Sequence, residues 1–454
     1  MTKVLKFGGS ALSTPEAFRL AVSIAAKELQ QERGAIAVSA LKGAPERILE
    51  ALAASARGAV AEAKGLMDGL AERHLALARE LGALEAISSR WEPGFRRLRT
   101  ILEGAALVAE ASARTRDAAL ALAESLTAEL FTLLLDRGGR PAEFRELKEV
   151  LRTDGRHGHA RPELALIGQA AGSWDAVLAR GACIVTQASA GQSPEGATTT
   201  LGRGGSDLAA TLLGEALGAS EVQIWTDVDG VLTADPSLVR EARPIPRMSL
   251  GEAEALSAFG AKVLHADSLA PGGRAGFRLV VANTLRPGAS RTEILPVPPP
   301  RMAGEVTSVA YKEGLSLLRY PAAAGLEPPL EAARRLEEAG ALRFGLVSSP
   351  AGTLLAVRPD TPAAAEALAN LEAAGVERES GWAVVALVGE GLRADPVAAL
   401  RHLAALGHEP VGGLLTGSST VSVAFLVPEP RLGDLIPRLH DRCVLRSLEP
   451  SPCR

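Results

Sequence analysis

Cysteine is nearly missing from this 454-residue chain: Cys183, Cys443 and Cys453 are widely scattered and form no C-x-x-C pair. That scatter excludes a disulfide framework and a thiolate zinc site, and fits a reducing compartment. Aromatic residues are scarce at 3%, against an apolar share of 47%, which points to Ala- and Leu-rich helices. No excess of one charge exists. Lys and Arg number 49 and Asp and Glu 53, a formal charge of −4, so nucleic acid is not the expected main partner, and Arg96, Arg97 and Arg99 read as a solvated helix face. The uncharged stretch 410–428 is interrupted by Gly, Ser and Thr, and the opening MTKVLKFGGSAL lacks an apolar leader; the expectation is a cytoplasmic protein that does not enter a membrane. GxxxxGK[ST] and GxGxxG are both absent, so neither a P-loop nor a dinucleotide fingerprint is present.

What is present is an alternation of strands, glycine turns and helices. Val4–Phe7 reads as a buried strand running into Gly8, Gly9 and Ser10, with a helix over 15–31; Ile36–Ser39 repeats the pattern into Gly43. This predicts an α/β class: an open, mainly parallel sheet between helices. Residues 46–138 are almost continuously helical in pattern, with Pro93 as the expected break, and form a helical insertion. Strand patterns return at 182–187 and 222–226, and Ser249 with Glu252 reads as a capping box for a helix through Val263. LPVPPP at 295–300 is a stiff connector. Beyond it a β-α-β-β-α-β order is written twice, predicting two ferredoxin-like modules. The expected domains are 1–295, a linker at 296–304, then 305–380 and 381–454.

Three segments carry chemistry. Lys6 stands at a strand end beside Gly8, Gly9 and Ser10, a corner suited to phosphate. In TLGRGGSDLAATLLGEALGA, from Thr200, an arginine lies among glycines at a helix entrance, where close backbone approach and unpaired amides favour an anion. Asp207 has two readings there, a cap for a helix starting at Leu208 or a carboxylate facing a ligand's ammonium. WTDVDGVLTADP, from Trp225, is a strand ending in an acidic loop; EF-hand spacing is absent, leaving turn-building or a nucleotide pocket. Lys262 reads as a second phosphate cation or a favourable last-turn charge.

KFGGS, TTTLGRGGSDLAA, WTDVDGVLTADP and SLGEAEALSAFGAKVLHA occur in the order and spacing of aspartate kinases, and the chain resembles that family from residue 2 to about 445. GWAVVALVGEGL and GLLTGSSTVSVAFLV look like its second ACT module, and the length resembles the monofunctional, homodimeric branch. The resemblance implies an amino-acid kinase fold followed by two ACT modules. It also implies transfer of the ATP γ-phosphoryl group to the side-chain carboxylate of L-aspartate, with Mg2+ carried by the nucleotide. This step opens the route to lysine, threonine and methionine. A catalytically weak or inactive amino-acid sensor is the alternative, and a kinase acting on glutamate derivatives a third.

By motif match, Lys6 and Lys262 would contact ATP phosphates, with Gly8, Gly9 and Ser10 as donors and Val263 beside them. Thr226 and Asp227 would hold the nucleoside. Arg203 would bind an aspartate carboxylate, Gly204, Gly205, Ser206 and Asp207 would complete that pocket, and Glu124 would meet the substrate's ammonium. Several lining positions depart from the family. Its GFIG reads Ala188-Ser189-Ala190-Gly191, its GERLS reads Ala123 to Thr127, and Leu232 and Ser237 replace a tyrosine and an arginine. The segment 344–350 lacks the aspartate that would pair with a bound lysine, which counts against feedback inhibition by lysine, while the resemblance implies an amino-acid effector at the ACT modules.

Overall fold

The structure, a computed structural model, describes residues 1–202, 204–260, 264–415 and 419–445. They fall into two units, Met1–Val231 with Pro246–Leu250 and Val263–Val297, and Leu232–Ile245 with Gly251–Lys262 and Pro298–Arg454.

In the first unit the N-terminal apolar runs become strands β1 (Thr2–Phe7), β2 (Arg33–Val38), β3 (Ala142–Phe144) and β4 (Cys183–Gln187). A small hairpin, β5 (Ala190–Gln192) and β6 (Thr198–Thr200), follows, then β7 (Glu221–Thr226), β8 (Arg247–Ser249), β9 (Arg278–Asn283) and β10 (Thr292–Leu295). Eight of these form one sheet in the order β3-β4-β2-β1-β7-β9-β10-β8, parallel except for the β9–β10 pair. Val4, Leu5, Phe7 and the run from Ala35 to Val38 are fully buried, as befits parallel strands covered on both faces. The chain leaves β1 toward β2 on one side and reaches β7 on the other, so the strand order reverses at β1. In open α/β sheets that reversal opens a crevice at the C-terminal strand ends.

Helix α1 (Pro15–Glu28) starts as its residues dictate, with Thr14 Oγ1 accepting from Ala17 N at 3.2 Å and Pro15 in the first turn. The insertion is four helices, α2 (Ala44–Ala56), α3 (Val60–Glu80), α4 (Leu84–Val108) and α5 (Ala113–Arg137). Pro93 is not the break: it lies inside α4. The breaks fall beside Gly58, Gly82 and Ala109, all at positive φ, the left-handed geometry that closes helix C-termini. An interior proline costs about 3 kcal/mol. Burial of Trp91 and Phe95 on either side of Pro93, with Trp91 Nε1 donating to Leu126 O at 2.9 Å, offsets it. By length and composition α5 could cross a membrane; here it lies in the core, Phe131 packing on Phe7 and Phe18.

The second unit holds one six-stranded antiparallel sheet built from β11 (Ser308–Pro321), β12 (Ala341–Ser349), β13 (Gly352–Pro359), β14 (Glu377–Val388), β15 (Gly413–Leu415) and β16 (Ser422–Pro428). The order is β12-β13-β11-β14-β16-β15. Two βαββαβ modules share it, but one is nested in the other rather than following it. Leu315–Arg319 pairs with Trp382–Glu377, whereas Ser308–Lys312 pairs with Val388–Val384, with a register shift between Lys312 and Leu315. The inner module therefore runs from Leu315 to Trp382. The outer one starts at Val384 and takes its fourth strand from Ser308–Lys312, ahead of the inner module in sequence. The boundary expected at 380/381 falls inside β14.

Two segments expected in the first domain belong to this unit. Within Leu232–Ile245, Ala234 and Val239 join the core of Val385, Phe425, Leu435 and Leu439, the apolar neighbours that burial of those side chains requires. The helix after Ser249 runs Leu250–Ala258, and its expected end at Val263 lies outside the described residues. Buried Glu252 accepts from Thr307 Oγ1 at 2.5 Å and from the Glu390 backbone N–H at 3.1 Å.

Candidate functional site

At the C-terminal end of β1, alternation turns Lys6 out of the strand's apolar neighbours, yet the residue is only 7% exposed. Its Nζ lies 2.6 Å from Asp207 Oδ1. The two opposite charges therefore meet directly, the ammonium as donor and the carboxylate as acceptor. Asp207 reaches it from the first turn of the helix Gly205–Ala216. That helix begins at Gly205, not Leu208, with Gly204 as N-cap at φ 74°, so Asp207 is a first-turn residue and not the cap. Its negative charge there also suits the helix dipole. A side chain at Gly204 would be placed 2.7 Å from His265 Cβ, a second reason for glycine.

Beyond β1, the turn Gly9–Leu12 opens at Gly8. Gly8 donates its N–H to Trp225 O at 3.2 Å, tying β1 to the end of β7. The N–H expected to serve a phosphate is thus engaged within the fold at Gly8. A Cβ on Gly9 would sit 2.8 Å from Ala40 O, so the backbones meet closely at this corner.

Glu124 comes from α5, 8% exposed. Its carboxylate accepts from the backbone N–H groups of Ala188 (3.2 Å) and Ser189 (3.0 Å) and from Ser189 Oγ (2.9 Å). Burial pushes its pKa up to about 7, opposed by those hydrogen bonds and by the nearby Lys6 charge. Ser189 stands in the segment that departs from GFIG, and its hydroxyl is one of the donors. No local sequence signal announces that contact, because the partners are 65 residues apart.

Thr226 ends β7 and exposed Asp227 follows it, the Thr226 hydroxyl donating to Asp227 Oδ1 at 3.2 Å. Asp229 is instead committed to structure, accepting from Asn283 Nδ2 at 2.6 Å and pairing with Arg286 at 2.6 Å. The acidic loop is thus a turn in which Asp229 is tied down and Asp227 is exposed. In the other unit, Ser237 donates through N and Oγ to Asp235 at 2.9 and 2.6 Å, a local turn contact at the position where an arginine was expected. Arg203, Lys262 and Val263 lie outside the described residues. Of the remaining expected residues, Lys6, Asp207 and Glu124 converge, while Thr226 and Asp227 sit on the adjacent strand end. Among the described residues no three His, Cys, Asp or Glu side chains form a metal-ligand group.

The family model described as the amino acid kinase family matches residues 1–283. Lysine-sensitive aspartokinase 3 of Escherichia coli is 38% identical over 193 residues, 42% of this chain and 43% of its own length. The aspartokinase of Chlamydia pneumoniae is 31% identical over 324 residues, 70% of this chain and 68% of its own. For several of the curated relatives the matched stretch spans about half their length, 43% and 53% in two cases. The crystal structure of Escherichia coli aspartokinase III in complex with aspartate and ADP has a TM-score of 0.79 at 27% identity, covering 97% of this chain and 99% of that one.

Proposed function

The chain belongs to the amino acid kinase family, and we propose that it is an ATP-dependent aspartate kinase forming 4-phospho-L-aspartate. The observation that carries this reading is the meeting of Lys6, Asp207 and Glu124 at the C-terminal edge of the parallel sheet. In the proposed step a side-chain carboxylate oxygen of aspartate bonds to the γ-phosphorus as the β,γ-bridging P–O bond breaks and ADP leaves. No proton moves, since a carboxylate with pKa near 4 is already ionised at neutral pH, and the site accordingly needs no general base. Its task is to hold two anions together, which cations and oriented amides do. Lys6 contacts the transferring phosphate while remaining beside Asp207, and Asp207 and Glu124 face the acceptor's ammonium. Mg2+, when bound, neutralises phosphate charge. The phosphate oxygens of the nucleotide would hold it.

A homodimer through the C-terminal sheet and cytoplasmic residence belong to the same reading. The dimer is supported by the edge strand β12, which leaves Leu342 and Val347 exposed.

ADP release measured with aspartate, glutamate and N-acetylglutamate, with hydroxylamine trapping the acylphosphate, tests the proposal. The expected result is turnover with aspartate. Preference for another acceptor refutes the substrate assignment, and no turnover on any favours the amino-acid sensor.

A further inference from the structure

Asp117 is a buried carboxylate that the proposed mechanism does not use. It projects from α5 and is 1% exposed. Its Oδ1 accepts from Thr200 Oγ1 at 2.5 Å and from Gly158 N at 3.2 Å, and its Oδ2 from Gly158 N at 2.9 Å and His157 Nδ1 at 2.9 Å. A carboxylate only accepts, so His157 carries its hydrogen on Nδ1. Both segments gathered here are joined again by Ala160 N donating to Thr200 O at 2.9 Å, and Gly202 lies against Gly158, where a Cβ would be 2.7 Å from the Gly158 carbonyl.

Asp117 and Glu124 are seven residues apart, two turns, and so share one face of α5. Glu124 holds Ser189, whose carbonyl accepts from Leu201 N at 3.4 Å. Asp117 holds Thr200 directly. One helix face therefore fixes Thr200 and Leu201 through two carboxylates, immediately before the glycines that lead to Asp207. Burying a charge for stability alone is a poor exchange, since apolar packing usually does as well. Four directional contacts on one carboxylate suit the fixing of a geometry.

We propose that Asp117 is a positioning residue for the acceptor amino acid: it clamps Thr200–Gly202, and through them the helix entrance that presents Asp207, while leaving the nucleotide side untouched. This rests on the aspartate kinase reading, so the test carries a readout that does not depend on turnover. Hydrogen exchange of the Leu201 and Gly202 amides is compared in the full-length wild type, Asp117→Asn, Thr200→Val and Thr200→Ser, alongside KM for aspartate and for ATP. In Asp117→Asn and Thr200→Val the expected results are exchange at least tenfold faster and a KM for aspartate about tenfold higher. The KM for ATP should stay within twofold. Thr200→Ser, which keeps the hydroxyl, should behave as wild type. Unchanged exchange in Asp117→Asn, or equal increases in both KM values, overturns the clamp. A wild type without turnover on aspartate defeats the kinase reading only, and exchange then decides the clamp by itself.

Discussion

Lys6 Nζ lies 2.6 Å from Asp207 Oδ1, with side chains 8% and 15% exposed. The pair joins a strand end to a helix entrance separated by 201 positions in sequence. Each charge makes the other's burial tolerable, so removing one should cost about 3–5 kcal/mol through the partner left behind. Lys6→Met should therefore lower both stability and phosphoryl transfer. The double variant Lys6→Met/Asp207→Asn should recover most of the stability in urea denaturation and stay inactive. If the double variant phosphorylates aspartate well, neither residue has the assigned role.

Glu124 supplies a prediction with a definite sign. Its pKa rises from 4.5 to about 7 because it is buried, so between those values the folded state binds more protons than the unfolded one. Stability is then greatest below pH 4.5 and falls as pH rises through 7, by on the order of 3 kcal/mol for this group. Glu129, also raised to about 7 by burial, adds the same sign. Comparing wild type with Glu124→Gln at pH 5 and pH 8 isolates the first contribution: the glutamine variant should show the smaller loss. Binding an ammonium needs the ionised form, so the wild-type KM for aspartate should rise as pH falls from 8 to 6. A flat wild-type profile would remove Glu124 from the acceptor pocket.

What the sequence disclosed follows from how local each signal is. Lys6 and the glycine loop were legible because strand end, tight turn and helix entrance are contiguous in the chain. Glu124 was visible only through the family resemblance, and Asp117 not at all, since Thr200 is 83 residues away. Pro93 misled because a proline normally stops a helix, whereas here aromatic burial around it decides. Strand β12 carries only a weak signal of its own, because its partly exposed pattern gives no clean alternation. The nested modules were hidden in β11 and β14, where one strand serves two modules and only the register shift marks the division.

Lysine should have little effect on the reaction. The segment 344–350 lies on β12 and at the turn after it, and contains no carboxylate to meet a bound ammonium. Initial rates with added lysine, and separately threonine, check this. Strong inhibition by lysine would require a cationic-effector site elsewhere in the chain.

His440 is 1% exposed, and its Nε2 meets Thr233 Oγ1 at 2.8 Å. Thr233 Oγ1 also accepts from the Arg243 backbone N–H at 3.0 Å, and its own hydrogen can go to Nε2 when the ring is neutral. Burial lowers the pKa of His440, with Arg243 acting in the same direction and Glu241 and Asp441 against it. The neutral ring is thus favoured in the folded state. Its contribution is present above the ordinary histidine value near 6.5 and is lost as pH falls below it, a sign opposite to that of Glu124. His74, buried and lowered to about 4 in the helical insertion, follows the same rule, so the readout must be local. Hydrogen exchange of the amides of Leu435 and Ile436 should accelerate in the wild type between pH 7.5 and pH 5, after correction for intrinsic rates. His440→Gln should flatten that dependence while leaving the His74 region unchanged. Equal acceleration in both proteins would show that another group titrates against this core.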